Sequence, residues 1–292
     1  MKIYEKLYSP KTINTIKKDY GFSIKKNLGQ NFLTDINVID EIIKGSLITD
    51  NSLVVEIGPG IGVLTNEVSK IAKKVIAIEI DKKLIPILND IFEDLDNVEV
   101  INDDILKTNI NDIINKQEGI TNVRIIGNLP YYITTPIIMK LLEDKVGADS
   151  ITVMMQKEVA SRIAANPGDK DCGAITYAVN YYSSVSKICN VSKNVFYPMP
   201  NVDSTVLRMD IHKEKKYNVK YEEMFFKCIK AGFGQRRKTL LNSLSSLKEF
   251  SKDDIKKALE ETDVDFNRRA ETLSIEEFSK ISNVLGMKGK LS

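Results

Sequence analysis

From residue 53 onward the chain alternates short, almost wholly apolar runs with stretches of helical period, and this alternation restricts the fold more than any other feature of the sequence. Runs at 53–57, 74–80, 98–101, 123–126 and 151–155 read as strands. Stretches near 62–71, 82–92 and 135–142 carry the period of helices. Strands that are apolar on both faces need cover on both faces, which is the condition of a parallel sheet wrapped by helices. A Rossmann-like, doubly wound α/β domain is therefore expected. Helices at 157–165 and 174–182 follow, and strands around 185–191 and 205–211 should close the sheet as an antiparallel hairpin across Pro198-Met199-Pro200.

Ahead of the sheet, Ser9 and Pro10 start a short basic helix over 11–20 that stops at Gly21. A second helix carries Ile36, Ile39, Ile42 and Ile43, is capped by Thr34 or Asp35 and ends at Gly45. The stretch 25–33 between them has glycine and amides but no period, as a connecting loop does. Beyond His212 the strand pattern disappears, and 221–233, 238–247, 252–261 and 275–285 look helical. Ser251/Asp254 and Ser274/Glu277 stand at capping-box spacing. A chain of 292 residues accommodates two domains, so residues 1–212 are expected to form the α/β domain and 213–292 a small helical one.

The formal net charge is only +2, yet the charges are segregated. Residues 1–30 and 212–240 are basic, whereas 81–120 is acidic. Basic flanks around an acidic middle suggest a polyanion held beside a site for something cationic or rich in hydroxyls. The three cysteines are odd in number and lack a C-x-x-C pattern, so reduced thiols are expected, with neither a disulfide framework nor a metal site. The one histidine, His212, reads as an exposed residue at a strand end, which argues against histidine chemistry. No apolar run approaches the roughly 20 residues of a membrane span, and the N-terminus has no secretory core. A cytoplasmic, monomeric protein is expected.

Glu56-Ile57-Gly58-Pro59-Gly60-Ile61-Gly62 follows the first strand and opens a helix, the setting of a nucleotide-binding glycine loop. A dinucleotide site would want a third glycine where Val63 stands, and Glu56 would repel a pyrophosphate while attracting an ammonium group. The pattern favours S-adenosylmethionine over NAD. Glu79 ends the second strand near the spacing at which an acid meets ribose hydroxyls, with Asp81 as rival. Asp104, with Asp103 as rival, follows the third strand, where it could accept from an adenine amine.

Asn128-Leu129-Pro130-Tyr131 ends the fourth strand. An amide oxygen and a main-chain carbonyl can each accept one hydrogen of an exocyclic amine while an aromatic ring covers the base. All of these groups fall at the carboxyl ends of parallel strands, where open α/β sheets bind ligands.

Together these stretches resemble the ribosomal RNA adenine dimethylases, over nearly the whole chain. The matching segments are NLGQNFL at 27–33, EIGPGIG at 56–62, NLPYYITTP at 128–136, QKEVASR at 156–162, YPMPNVDS at 197–204 and FGQRRKTLLNSL at 233–244. The resemblance implies that Asn31, Leu33, Gly58, Glu79, Asp104 and Asn128 contact S-adenosylmethionine; neither period nor spacing gives Asn31 and Leu33 that role. It implies dimethylation on N6 of two adjacent adenines in a hairpin loop near the 3′ end of small-subunit ribosomal RNA, within the immature subunit. Lys25, Lys26, Arg236, Arg237 and Lys238 are candidates for phosphate contacts. Asp203 and the FGQRRK run resemble the small-subunit branch more than relatives that methylate a large-subunit adenine. A non-catalytic assembly factor and an NAD-dependent oxidoreductase are the competing classes. Cys172 departs from the family pattern, which has an aromatic residue there.

Overall fold

Proline at the first turn presets the helical φ, and helix α1 (Pro10–Tyr20) ends at Gly21, whose φ of 60° is left-handed. Ile13 and Ile16 are buried, while Lys11 and Lys18 stay exposed. These coordinates are a computed structural model that describes residue 4 and residues 6–25 and 28–289. After the two-residue strand β1 (Phe32–Leu33) comes α2 (Ile36–Gly45), whose cap is Asp35. Its carboxylate accepts the Asn37 N–H at 2.8 Å. Thr34 instead gives its backbone N–H to the Val195 carbonyl.

The sheet is built from β2 (Ser52–Ile57), β3 (Lys74–Glu79), β4 (Val98–Asn102), β5 (Asn122–Asn128) and β6 (Ser150–Gln156). Helices α3 (Val63–Ser69), α4 (Ile85–Phe92), α5 (Ile110–Ile114) and α6 (Thr134–Glu143) connect them in turn. Pairings β4·β3, β3·β2, β2·β5 and β5·β6 are all parallel. All six residues of β2 are buried, as an apolar strand covered on both faces should be. From β2 the chain builds outward through β3 and β4, then returns to lay β5 on the other side of β2. That reversal is the switch point where a crevice opens beyond the strand ends. Ile57 pairs with Gly127 there, so the loop after β2 and the end of β5 are neighbours.

After β6 come α7 (Lys157–Ala164), α8 (Ala174–Tyr182), β7 (Ser183–Val191), β8 (Phe196–Tyr197) and β9 (Ser204–Ile211). Strand β9 runs antiparallel to β6 and lies between it and β7, so the last two strands close the sheet as expected. The pairing of β1 with β8 was not visible in the sequence, because two-residue strands are too short to show a period.

The chain divides into two compact units, and their limits differ from a single cut at 212. One comprises 1–160 with 185–211; the other comprises 161–184 with 212–292. Helix α8 joins the second unit because its aromatic face is buried there. The Tyr177 ring lies 5.1 Å from Phe233 and 5.2 Å from Phe278, and Tyr181 packs 5.0 Å from Phe225. The Tyr177 hydroxyl donates to the Leu273 carbonyl. Helices α9 (Glu222–Gly234), α10 (Leu240–Leu244), α11 (Lys252–Glu261) and α12 (Ile275–Gly289) complete this unit, and Ser251 and Asp254 form the expected reciprocal cap. Residues 235–239 form a turn rather than the start of a helix. His212 is half-buried, its Nε2 3.0 Å from the Ser184 hydroxyl. Among the described residues no helix is long and apolar enough to cross a membrane.

Gly62 couples the fold to the site. Its φ is 84°, and a Cβ there would sit 2.5 Å from Phe92 Cζ. Gly62→Ala should cost roughly 2 kcal/mol or more, combining left-handed strain with overpacking. Gly21→Ala, equally left-handed but facing open space, should cost about 1 kcal/mol. Urea midpoints measure both; equal losses would mean that the Phe92 wall contributes nothing.

Candidate active site

One cavity opens at the switch point. Leu33, Glu56, Gly58, Glu79, Asp104 and Asn128 are among its lining residues. Gly58 has a φ of 69°, and a Cβ there would meet nothing within 4 Å, so the loop leaves an open cradle. Glu56, on β2, is buried and accepts a hydrogen bond from the Thr65 hydroxyl at 2.5 Å. Burial pushes its carboxyl up to about 7; the Thr65 bond opposes this and the neighbouring Glu79 adds to it. Glu79 is also raised by burial, although the Asp81 and Gly60 N–H groups bind one oxygen each, at 2.8 and 3.1 Å. Each of those oxygens retains a further lone pair.

Asp81, the rival of Glu79, is not among the cavity's lining residues, and its carboxylate is turned to other partners. Lys25 Nζ lies 2.8 Å from one oxygen and Gln30 Nε2 3.0 Å from the other. Burial raises this carboxyl, but the bonds from Lys25, the Lys83 N–H and Gln30 outweigh it and hold it below the usual range. Asp103 and Asp104 both reach the cavity. Asp104 is the less exposed of the two, and Asp103 also accepts from the Thr108 hydroxyl at 2.9 Å.

At the end of β5 the Asn128 amide is held by one bond, from Nδ2 to the Asn31 carbonyl at 2.9 Å. A carbonyl only accepts, so the amide nitrogen must face it and Oδ1 must face elsewhere. Among the described residues no hydrogen bond ends on Asn128 Oδ1 or on the Leu129 carbonyl. Asn31 is positioned in turn by its own Nδ2, which donates to the Gly29 carbonyl at 3.0 Å. The aperiodic loop thus has three anchors, Asp81, Asn128 and the β1·β8 pair.

The motif residues divide. Asn128 and Pro130 line the cavity, whereas Leu129 is buried and Tyr131 turns its hydroxyl to Ser204 at 2.8 Å. Tyr132, which the sequence reading passed over, lines the cavity and is 59% exposed. Ile80 and Ile105 supply apolar wall. They were missed because an isoleucine after a strand looks like any other core residue.

The expected basic contacts are changed by their surroundings. Lys25 is committed to Asp81, and Lys26 lies outside the described residues. Arg236 is exposed, yet it donates to the Cys172 carbonyl and lies 3.8 Å from Glu271, so part of its charge is answered locally. Arg237 and Lys238 are exposed in the turn after α9. Among the described residues no group of three His, Cys, Asp or Glu side chains could hold a metal.

With this geometry in place, a family comparison decides the kinship: the model of the ribosomal RNA adenine dimethylases matches residues 21–286. The chain belongs to that family. Ribosomal RNA small subunit methyltransferase A of Clostridioides difficile (strain 630) is 50% identical over 284 residues, covering 97% of this chain and 98% of the relative. The protein of the same name from Bacillus pumilus (strain SAFR-032) is 47% identical, covering 95% and 96%. Among solved structures, a dimethyladenosine transferase from Plasmodium falciparum superposes with a TM-score of 0.71 at 28% identity, covering 88% of this chain and 98% of its own. The 23S rRNA methyltransferase ErmE, at 23% identity and a TM-score of 0.65, covers 87% and 99% and shares the fold. The mainly parallel sheet with a helical C-terminal part is the Rossmann-like architecture of this dimethylase family.

Burial of Glu56 has a measurable effect on stability. The folded carboxyl keeps its proton to about pH 7 whereas an unfolded one releases it near 4.5, so the folded state holds the extra proton in that window and stability falls as pH rises through it. The contribution is about 3 kcal/mol, and it levels off above pH 7. Glu56→Gln keeps an acceptor for Thr65 without the charge. In urea unfolding without added ligand, the variant's advantage over the parent should grow between pH 5 and 8. A constant difference would place the proton elsewhere.

Proposed function

We propose that the chain transfers methyl groups from S-adenosylmethionine to the N6 amines of two adjacent adenosines in a hairpin loop near the 3′ end of small-subunit ribosomal RNA, in the immature subunit. The observation that carries this reading is the Asn128 amide, held so that its acceptor oxygen is unclaimed beside an unclaimed Leu129 carbonyl. Two acceptors at one strand end match the two hydrogens of an exocyclic amine. The full-length similarity to small-subunit methyltransferases favours this reading over a large-subunit enzyme or an assembly factor without catalysis.

The cavity fits the cofactor. Gly58 leaves room for close backbone approach, Glu79 has lone pairs for ribose hydroxyls, and Asp104 can accept from an adenine amine between Ile80 and Ile105. Glu56 and Glu79 offer buried carboxyl groups whose ionisation a positively charged ligand would favour. Leu33 closes the wall from β1, and Asn31 acts through Asn128. When bound, S-adenosylmethionine supplies an electrophilic methyl group on sulfur.

Adenine N6 is a weak nucleophile because its lone pair is delocalised into the ring. Hydrogen bonds from the amine to Asn128 Oδ1 and the Leu129 carbonyl favour a pyramidal nitrogen and aim its lone pair. Pro130 fixes the turn that presents both acceptors, its own carbonyl accepting from the Ile133 N–H and the Thr134 hydroxyl. Tyr131, held by Ser204, covers the base. The amine's proton becomes acidic once the methyl is transferred, so no strong base is required. Sequence-specific RNA recognition favours unstacked loop bases. The chain is expected to act as a monomer in the cytoplasm, where subunits are assembled.

Labelled methyl transfer to immature small subunits and to large subunits tests the reading. Transfer should go to the small subunit, on N6. Asn128→Ala should lower turnover at least about tenfold, the equivalent of 1.36 kcal/mol, with little change in RNA affinity. Transfer to large subunits alone, or a variant within about twofold of the parent, would contradict it.

In the helical unit, Arg237 and Lys238 hold RNA through phosphate charge. Neutralising both should leave cofactor affinity alone and flatten the slope of log affinity against log salt by about 0.7 to 0.9 per lost contact. An unchanged slope would move the polyanion surface elsewhere.

A further inference from the structure

Tyr131 and Tyr132 are adjacent in sequence and differently committed. Tyr131 is half-buried with its hydroxyl on Ser204, whereas Tyr132 is 59% exposed at the rim of the cavity. Tyr132 is nevertheless placed. It follows Pro130 in a turn closed by the Ile133 N–H on the Pro130 carbonyl, and a Cβ on Gly29 would come within 3.7 Å of its ring edge. An exposed aromatic ring held along one edge presents a face with nothing of its own to cover it.

The loop between β8 and β9, joined to the motif through Ser204 on Tyr131, has the same character: Met199 and Val202 are 59% and 42% exposed. One end of that loop is fixed by Phe32↔Tyr197 and Leu33↔Phe196, the other by Ser204 on Tyr131. Next to it the Tyr197 hydroxyl donates to Asn14, and Lys17 Nζ lies 5.6 Å over the Tyr197 ring, so the basic helix α1 borders this loop. Apolar faces beside a basic helix suit a single-stranded polyanion whose bases stack while its phosphates are neutralised.

We propose that Tyr132 is a second base platform, stacking on the nucleotide next to the one whose amine is at Asn128, with Met199 and Val202 widening the surface it lies on. The inference rests on the function proposed above and deepens it. One pocket must serve two adjacent adenosines, and two adjacent rings, one half-buried and one exposed at the cavity rim, give each base a place in turn.

The probe is a small-subunit 3′ hairpin in which 2-aminopurine replaces one of the two adenosines, since stacking quenches its emission. With the full-length parent, emission should fall on binding. Tyr132→Ala should restore it and weaken hairpin affinity about fivefold or more, a larger change than any in S-adenosylmethionine affinity measured by calorimetry. Tyr132→Phe keeps the π face and should behave as the parent. If the parent methylates small subunits but Tyr132→Ala binds and quenches like it, this inference falls alone. The same holds if the variant loses cofactor affinity while hairpin binding is unchanged. A parent that does not methylate small subunits overturns the proposed function and this inference with it.

Discussion

Strands β2 and β5 approach each other at Gly127 with no side chain between them, and the arrangement of the site depends on that approach. A Cβ at this position would lie 2.8 Å from the Ile57 carbonyl oxygen and 2.9 Å from Leu129 Cδ2. Any larger residue would push β5 outward at the point where its last residue, Asn128, must stand beside the loop that begins at Gly58. The Asn128 amide and the Gly58 loop come from different strands, so their separation is set by sheet registry rather than by loop conformation. Positioning by paired backbone is rigid, and tenths of an ångström matter to methyl transfer.

The same sheet edge collects the acids. Glu56 and Glu79 lie where water is largely excluded, and there unlike charges attract far more strongly than at the surface. Two carboxyl groups kept from solvent resist ionisation together, as the upward shifts of both express. A ligand carrying positive charge relieves that tension, and one without it does not. The basic groups stand at the exterior, on α1 and in the turn after α9, where salt screens them over roughly 8 Å. The two signs of charge are thus kept apart, acids in the interior and bases at the surface.

The sheet was legible because its strands had no alternative partner chemistry. Ser52–Ile57 and Ser150–Gln156 each hold a short, mainly apolar run of the length of a covered strand, and their observed limits fall within a residue or so of those runs. The glycine loop and Asn128 were legible for a related reason, since each terminates such a strand. What the sequence hid depends on long-range contact. Lys25 looks like an RNA contact until Asp81 is found opposite it, and Gln30 looks like loop filler until it bridges the two. The short helix α5 and the paired β1 and β8 lack the length for a period. Tyr132 was overshadowed by Tyr131, because only exposure separates two identical neighbouring rings.

Helix α8 lies in sequence between α7 and β7, yet it is built into the other unit. Emerging from the ribosome it carries Tyr177 and Tyr181, and the residues that will cover them, Phe225 of α9 and Phe278 of α12, are still to be made. For that interval its apolar face has no native partner, a state prone to sticking. The helical unit can therefore be completed only after α12 is synthesised. It also cannot be exchanged or lost as one contiguous block, which ties its inheritance to that of the methyl-transfer sheet.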